Sequence, residues 1–165
     1  MYFGGKLTLY HGSNLAVQFP YQLKIQRALD FGKGFYTTSD FEQAKKWAER
    51  TARIRGEGKA VVSCYEFPDD AFDTLSVLRF EKADAAWLDY VTKNRKGADT
   101  TGDYDLVIGP VANDQTFPTI LLYLDGYIDA ESAIRQLLPQ KLKDQYTFKT
   151  EKALSLLRFI EVKET

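Results

Sequence analysis

Leu9-Tyr10-His11-Gly12-Ser13-Asn14 and, further on, Asp30-Phe31-Gly32-Lys33-Gly34-Phe35-Tyr36-Thr37-Thr38 are the stretches on which the reading of this chain turns. The first closes an apolar, β-prone run (Leu7, Leu9) with the chain's single histidine and then with turn-favouring residues, which predicts that His11 sits where a strand stops. The second sets two glycines ahead of a strand around Phe35 to Thr37. It leads into Ser39-Asp40-Phe41-Glu42, a capping-box pattern that predicts a helix start. Glycines at 32 and 34 let the backbone turn tightly or approach a ligand closely.

Outward from these blocks, Phe41, Ala44, Ala48 and Ala52 recur at helical spacing, so Ser39 to about Arg55 reads as an amphipathic helix ended by Gly56-Glu57-Gly58. Ala60 to Phe67 is rich in β-branched residues and reads as a strand closed by Pro68-Asp69-Asp70. Upstream, Lys6 to Tyr10 is the first strand, and Asn14 to Asp30 is a loop or short helix interrupted by Pro20. Downstream, strands are expected at Leu75–Phe80, Leu106–Ile108, Asp144–Thr150 and Leu157–Val162. Helices are expected over Asp84–Asn94, through Ile120–Leu124 with Asn113 or Asp114 as cap, over Asp129–Leu137, and briefly after Thr150. Lys96 to Gly102 is an exposed polar loop. Strands and helices mix without regular alternation, which predicts one α+β domain over residues 1–165 with substantial antiparallel sheet.

Composition narrows the function classes. At 44% hydrophobic over 165 residues the chain can bury an adequate core. A net charge of −1, from 22 basic and 23 acidic residues, lacks the overall basic footprint of nucleic-acid binders. One cysteine, Cys64, permits no intrachain disulfide, and with one histidine no multi-ligand His/Cys zinc site can be built, so no metal is expected. No apolar run reaches the length that spans a bilayer, and Met1 to Lys6 lacks the features of a signal peptide. The expected location is the cytoplasm, away from membranes.

Tyr10-His11-Gly12-Ser13 and Gly32-Lys33-Gly34-Phe35-Tyr36-Thr37-Thr38 resemble the first two signature motifs of the ADP-ribosyltransferases of the His-Tyr-Glu class, which includes diphtheria toxin and the poly(ADP-ribose) polymerases. That class carries a second aromatic eleven positions after the tyrosine, and here the offset lands on Trp47. Its third motif is a strand bearing a glutamate near the C-terminus. Asp144-Gln145-Tyr146-Thr147 stands in that place, with Gln145 where the glutamate would be. The chain also resembles, through Asp-Phe-Gly-Lys-Gly-Phe-Tyr and Val-Ile-Gly-Pro-Val, a small bacterial family of unassigned function placed among ADP-ribosyltransferase-like domains and beside candidate antitoxins.

The resemblance implies two packed, mostly antiparallel sheets around an NAD cleft with flanking helices. It implies that His11 hydrogen-bonds the adenosine ribose of NAD, that the Gly12 backbone pairs with the nicotinamide carboxamide, and that Tyr36 and Trp47 sandwich the nicotinamide ring. Ser13 and Thr37 would help orient these groups. Gln145, with Tyr36 and His11, would act at the reacting centre. It keeps the glutamate's hydrogen bond and loses its charge, a difference worth roughly 1.5–3 kcal/mol or about one to two powers of ten in rate. Asp105, Asp114 and Glu151 are candidates to restore that charge. The implied activity is mono-ADP-ribosylation of a macromolecule, a protein rather than a nucleic acid, with the toxin of a toxin–antitoxin pair as one form and an antitoxin as a partner. A binding module that has lost its chemistry, and an NAD glycohydrolase with water as acceptor, are the alternatives.

Overall fold

The computed structural model describes residues 5–20, 28–113 and 115–165. Two sheets form the frame. β1 (Lys6–Ser13), β5 (Val61–Pro68) and β9 (Arg158–Glu164) make an antiparallel sheet in the order β1-β5-β9. β4 (Phe35–Thr37), β8 (Asp144–Phe148), β7 (Leu106–Pro110) and β6 (Val77–Arg79) make the second, in the order β4-β8-β7-β6. The only parallel pair among these strands is β6–β7, because helix α2 (Ala85–Arg95) lies between them and returns the chain to the same direction. A two-residue ribbon, β2 (Ala28–Leu29) and β3 (Gly32–Lys33), turns through Asp30 and Phe31, and Gly32 holds φ 82 there, where a side chain would be strained.

The fold is α+β with two mostly antiparallel sheets, and strand alternation explains how its layers meet. On β5, Tyr65 and Phe67 point toward the second sheet and Val62 and Cys64 point outward under α1 (Phe41–Arg55). Leu9, Phe35, Leu106, Ile108 and Phe148 complete the core between the sheets, together with Ala153 and Leu154 of α5 (Glu151–Leu154). Val107 and Tyr36 face the other way and pack with Trp87, Leu88 and Val91 of α2, Ile120 of α3 (Phe117–Leu124) and Leu137 of α4 (Ala130–Leu137). Each fully buried large apolar side chain contributes about 1.5–3 kcal/mol relative to exposure, so these contacts dominate the stability.

Several expectations shift. β1 continues to Ser13, so His11 and Gly12 lie within a strand and not at its end, because β5 supplies a partner for every residue up to Val61. The N-cap of α1 is Asp40, whose carboxylate accepts from Gln43 N at 3.1 Å. Ser39 does not cap the helix; its hydroxyl donates to Asp144 on β8. Pro68-Asp69-Asp70 opens a 3-10 helix, Asp69–Thr74, and does not simply end the strand. Asn113 accepts from Gln115 N and Thr116 N just ahead of α3, while Asp114 and most of the segment around Pro20 to Arg27 lie outside the described residues.

Candidate functional site

The two sheets, whose inner faces share a core, are joined edge to edge by one backbone-paired position and then part. Tyr10 and Thr38 exchange backbone hydrogen bonds, Tyr10 N to Thr38 O at 2.8 Å and Thr38 N to Tyr10 O at 2.9 Å. Continued pairing would next set Gly12 against Tyr36. Instead the ring of His11 enters, and its Nδ1 donates to Tyr36 O at 2.8 Å. A carbonyl only accepts, so Nδ1 carries the proton in this contact. The imidazole lies flat on Phe35, with centroids 4.2 Å apart and planes at 24°. Since Tyr10 turns its peptide groups away from β5, the period of two along β1 turns the N–H and C=O of Gly12 the same way, into the gap.

This gap is the floor of a cleft of about 640 Å³, within the range of small-molecule sites. His11, Gly12, Ser13, Tyr36, Trp47 and Gln145, contributed by β1, β4, α1 and β8, all line it. Thr37 does not; it faces β8 and donates to Tyr146 O at 2.9 Å. Gly12 has a second reason to lack a side chain, because α1 crosses its outer face and a Cβ would meet Ala44 O and Ala48 N. The crossing carries Trp47, Arg50, Thr51 and Arg55, spaced along one helical stripe, into the cleft wall.

Tyr36 is 7% exposed, and its phenol closes the turn before it by donating to Gly32 O and accepting from Phe31 N at 3.1 Å. Burial, and then the charge of Asp30, push its ionisation well above the ordinary 10.0, so the phenol remains a donor at neutral pH. Burial likewise raises Tyr65, whose hydroxyl anchors Val17 of the cleft wall, and Tyr90. Folded-state values above the unfolded one contribute stability that is complete below pH 10 and lost as pH climbs toward them. Denaturant midpoints measured from about pH 9 to 11 are therefore expected to fall above pH 10, and a flat profile would contradict the burial of these phenols.

Gln145 is 2% exposed and donates from Nε2 to Asp30 Oδ2 and to Pro110 O, each at 3.2 Å. Asp30 also accepts from Arg95 Nε at 3.1 Å, from Arg95 Nη2 and from Ala112 N at 3.0 Å. Thus the carboxylate beside Gln145 is Asp30. Asp105 is spent elsewhere, accepting from Ser76 N and Thr150 Oγ1, bonds that hold its carboxyl below the ordinary 3.8. Glu151 is exposed at the start of α5, and Asp114 lies outside the described residues. Asp30 is 115 residues from Gln145, and nothing local in the sequence marks the pair.

Arg50, Arg55 and Arg95 were also not singled out from sequence. The first two carried a signal, since they stand three and eight positions after Trp47 on the same helix. Arg55 Nη1 donates to Asn14 Oδ1 at 2.8 Å, and Ser13 Oγ reaches the same oxygen at 3.3 Å. The described lining therefore sets three arginines against the single acid Asp30, a cationic cleft in a chain of net charge −1. Arg95 also lies over the ring of Phe117, 5.0 Å from its centroid.

Residues 7–159 match the family described as protein of unknown function (DUF3990). The chain belongs to that family. The matched span contains every residue that lines the cleft, so the site belongs to the family's domain and not to an appendage. No curated protein and no solved structure matches the chain. Among the described residues, no helix is long and apolar enough to cross a membrane, and no group of three or more histidine, cysteine or acidic side chains is placed to hold a metal ion.

Proposed function

We propose that this DUF3990 protein is a mono-ADP-ribosyltransferase that uses NAD to modify a macromolecule. The observation that carries the reading is convergence: His11, Gly12, Tyr36, Trp47 and Gln145 come from four elements to one cleft, which is cationic. Such a lining suits a ligand with aromatic rings, ribose hydroxyls and a diphosphate. The carboxamide of nicotinamide needs one acceptor and one donor, which the Gly12 peptide groups turned into the gap supply. His11 hydrogen-bonds a hydroxyl of the adenosine ribose, and Tyr36 and Trp47 hold the pyridinium ring, whose positive charge adds a cation–π attraction.

In the reaction the bond between the nicotinamide nitrogen and ribose C1′ breaks, and its electron pair leaves with nicotinamide, neutralising the pyridinium. The sugar passes through an oxocarbenium-like state. A lone pair from the acceptor then bonds to C1′, and the acceptor's proton is released to solvent. Gln145 accepts from the ribose hydroxyl next to that centre, which stabilises the developing positive charge.

The test is incubation with NAD labelled in its adenine half, alone and with bacterial lysate, beside His11→Ala. Label is expected on protein or nucleic acid, and His11→Ala is expected to lower kcat/KM by roughly 10- to 100-fold through loss of one hydrogen bond and its orienting effect. NAD binding without transfer would convert the reading to a binding module, and free ADP-ribose without labelled macromolecule would make it a hydrolase. A His11→Ala variant that binds and turns over NAD like the parent would sink the assignment.

A further inference from the structure

We propose that Asp30 is a positioning residue for Gln145: it fixes the amide with its oxygen toward the cleft and places beside it the negative charge that a carboxylate at 145 would otherwise carry. The inference rests on the NAD-cleaving reading and goes beyond it, because it explains how a cleft with glutamine can serve a cationic transition state.

The orientation follows from the partners. Both contacts of Gln145 Nε2, Asp30 Oδ2 and Pro110 O, are oxygens that only accept, so a reversed amide would set Oε1 against two oxygens at 3.2 Å. Pro110 O is itself held by Trp87 Nε1 at 3.0 Å, and Asp30 by Arg95 and Ala112 N, so neither partner is easily moved. The opposite atom, Oε1, makes no hydrogen bond among the described residues. It is also absent from the buried side-chain atoms without a partner, which leaves it reachable from the cleft that Gln145 lines. It stands there as a pure acceptor, as a glutamate oxygen would.

The charge follows from the same contacts. Asp30 is 3% exposed and receives four N–H groups, one of them from Gln145, so its negative charge is one hydrogen bond away from the carboxamide that meets the ligand. A carboxylate at 145 would face Asp30 and Pro110 O across contacts that now need two amide hydrogens. Gln145→Glu, which would be expected to improve a cleft that had merely lost its acid, is expected here to harm it.

The experiment compares the parent with Asp30→Asn, Gln145→Glu and the double swap Asp30→Asn/Gln145→Glu. Each is measured for NAD affinity by titration calorimetry, for kcat and KM of NAD cleavage, and for thermal midpoint. Each single variant is expected to lose about tenfold or more in kcat with KM changed less than about threefold, because the lost interaction grows in the transition state. The swap, which again sets one carboxylate opposite one amide, is expected to return to within about tenfold of the parent. A Gln145→Glu variant faster than the parent, an Asp30→Asn variant with parental kcat, or a swap no better than the poorer single variant would each overturn the inference while leaving the transferase reading in place. Recovery of the thermal midpoint without recovery of kcat would assign the pair a structural role only and overturn it as well. A parent that neither binds nor cleaves NAD fails the functional reading first, and the role assigned to Asp30 falls with it.

Discussion

Gly12→Ala is expected to cost about 3 kcal/mol or more, or roughly 6–12 °C in thermal midpoint for a domain of this size, although it adds a single methyl group. That methyl would lie 1.9 Å from Ala44 O, 2.7 Å from Ala48 N and 2.9 Å from Ala44 C, all backbone atoms of α1. Ordinary contact is longer than the shortest of these by more than about 1 Å, so no side-chain rotation relieves the clash and the helix itself must move. Its small inner residues, Ala44 and Ala48, are completely buried against β1 and β5 and leave no slack. The displacement would carry Trp47, Arg50 and Arg55 with it, so ligand affinity is expected to fall along with stability. Gly56→Ala is the control. That position has φ 69 but open space around it, so it suffers only the left-handed strain of about 1 kcal/mol. Equal denaturation midpoints for the two variants would show that α1 does not press on β1 as described.

Arg95→Ala is expected to destabilise by about 3 kcal/mol, because it leaves the Asp30 carboxylate nearly enclosed with only Ala112 N and Gln145 Nε2 as donors. The side chain of Arg95 is 26% exposed and that of Asp30 5%, so water can reach the arginine's end of the pair, which sets the effect at the low end for a buried ion pair. Loss of the contact over Phe117 adds about 0.5–1 kcal/mol to the same sum. The signature of the pair is non-additivity. Asp30→Asn/Arg95→Ala is expected to lose less than its two single changes together, by at least about 1 kcal/mol in urea denaturation, since the amide leaves no unpaired charge behind. A loss below about 1 kcal/mol for Arg95→Ala would place the pair among surface salt bridges, and with it would go the rigid support of Gln145.

Both variants act on contacts between segments far apart in the chain, and that distance separates what was legible from what was not. Helix α1 was legible because its apolar spacing and its end at Gly56 are local properties, whereas its first residue was misplaced by one cap: Ser39 and Asp40 are equally good cap residues in sequence, and Asp144, over a hundred positions away, takes the serine. The extent of β1 was misjudged for the same reason, since Gly12 and Ser13 look like a turn until β5 pairs with them. His11, Tyr36, Trp47 and Gln145 were legible through motif order and offset, and the cleft brings them together. Thr37 stood in the same motif, but its hydroxyl donates to Tyr146 O on β8 and the residue does not line the cleft.

The sequence by itself determined most of the element types and the α+β class, because hydrophobic period, β-branched content and turn residues act over a few positions. The motif resemblance picked out five of the side chains that line the cleft, those of His11, Ser13, Tyr36, Trp47 and Gln145. Tertiary structure alone decided that Asp30, and not Asp105 or Glu151, is the acid beside Gln145, that Arg95 accompanies it, and that Gly12 both admits α1 and turns its peptide groups into the gap. The physical reason is that a buried carboxylate finds its donors, and a glycine its close neighbour, only when strands and helices distant in sequence have packed, and no local pattern encodes which of several acids will be enclosed there.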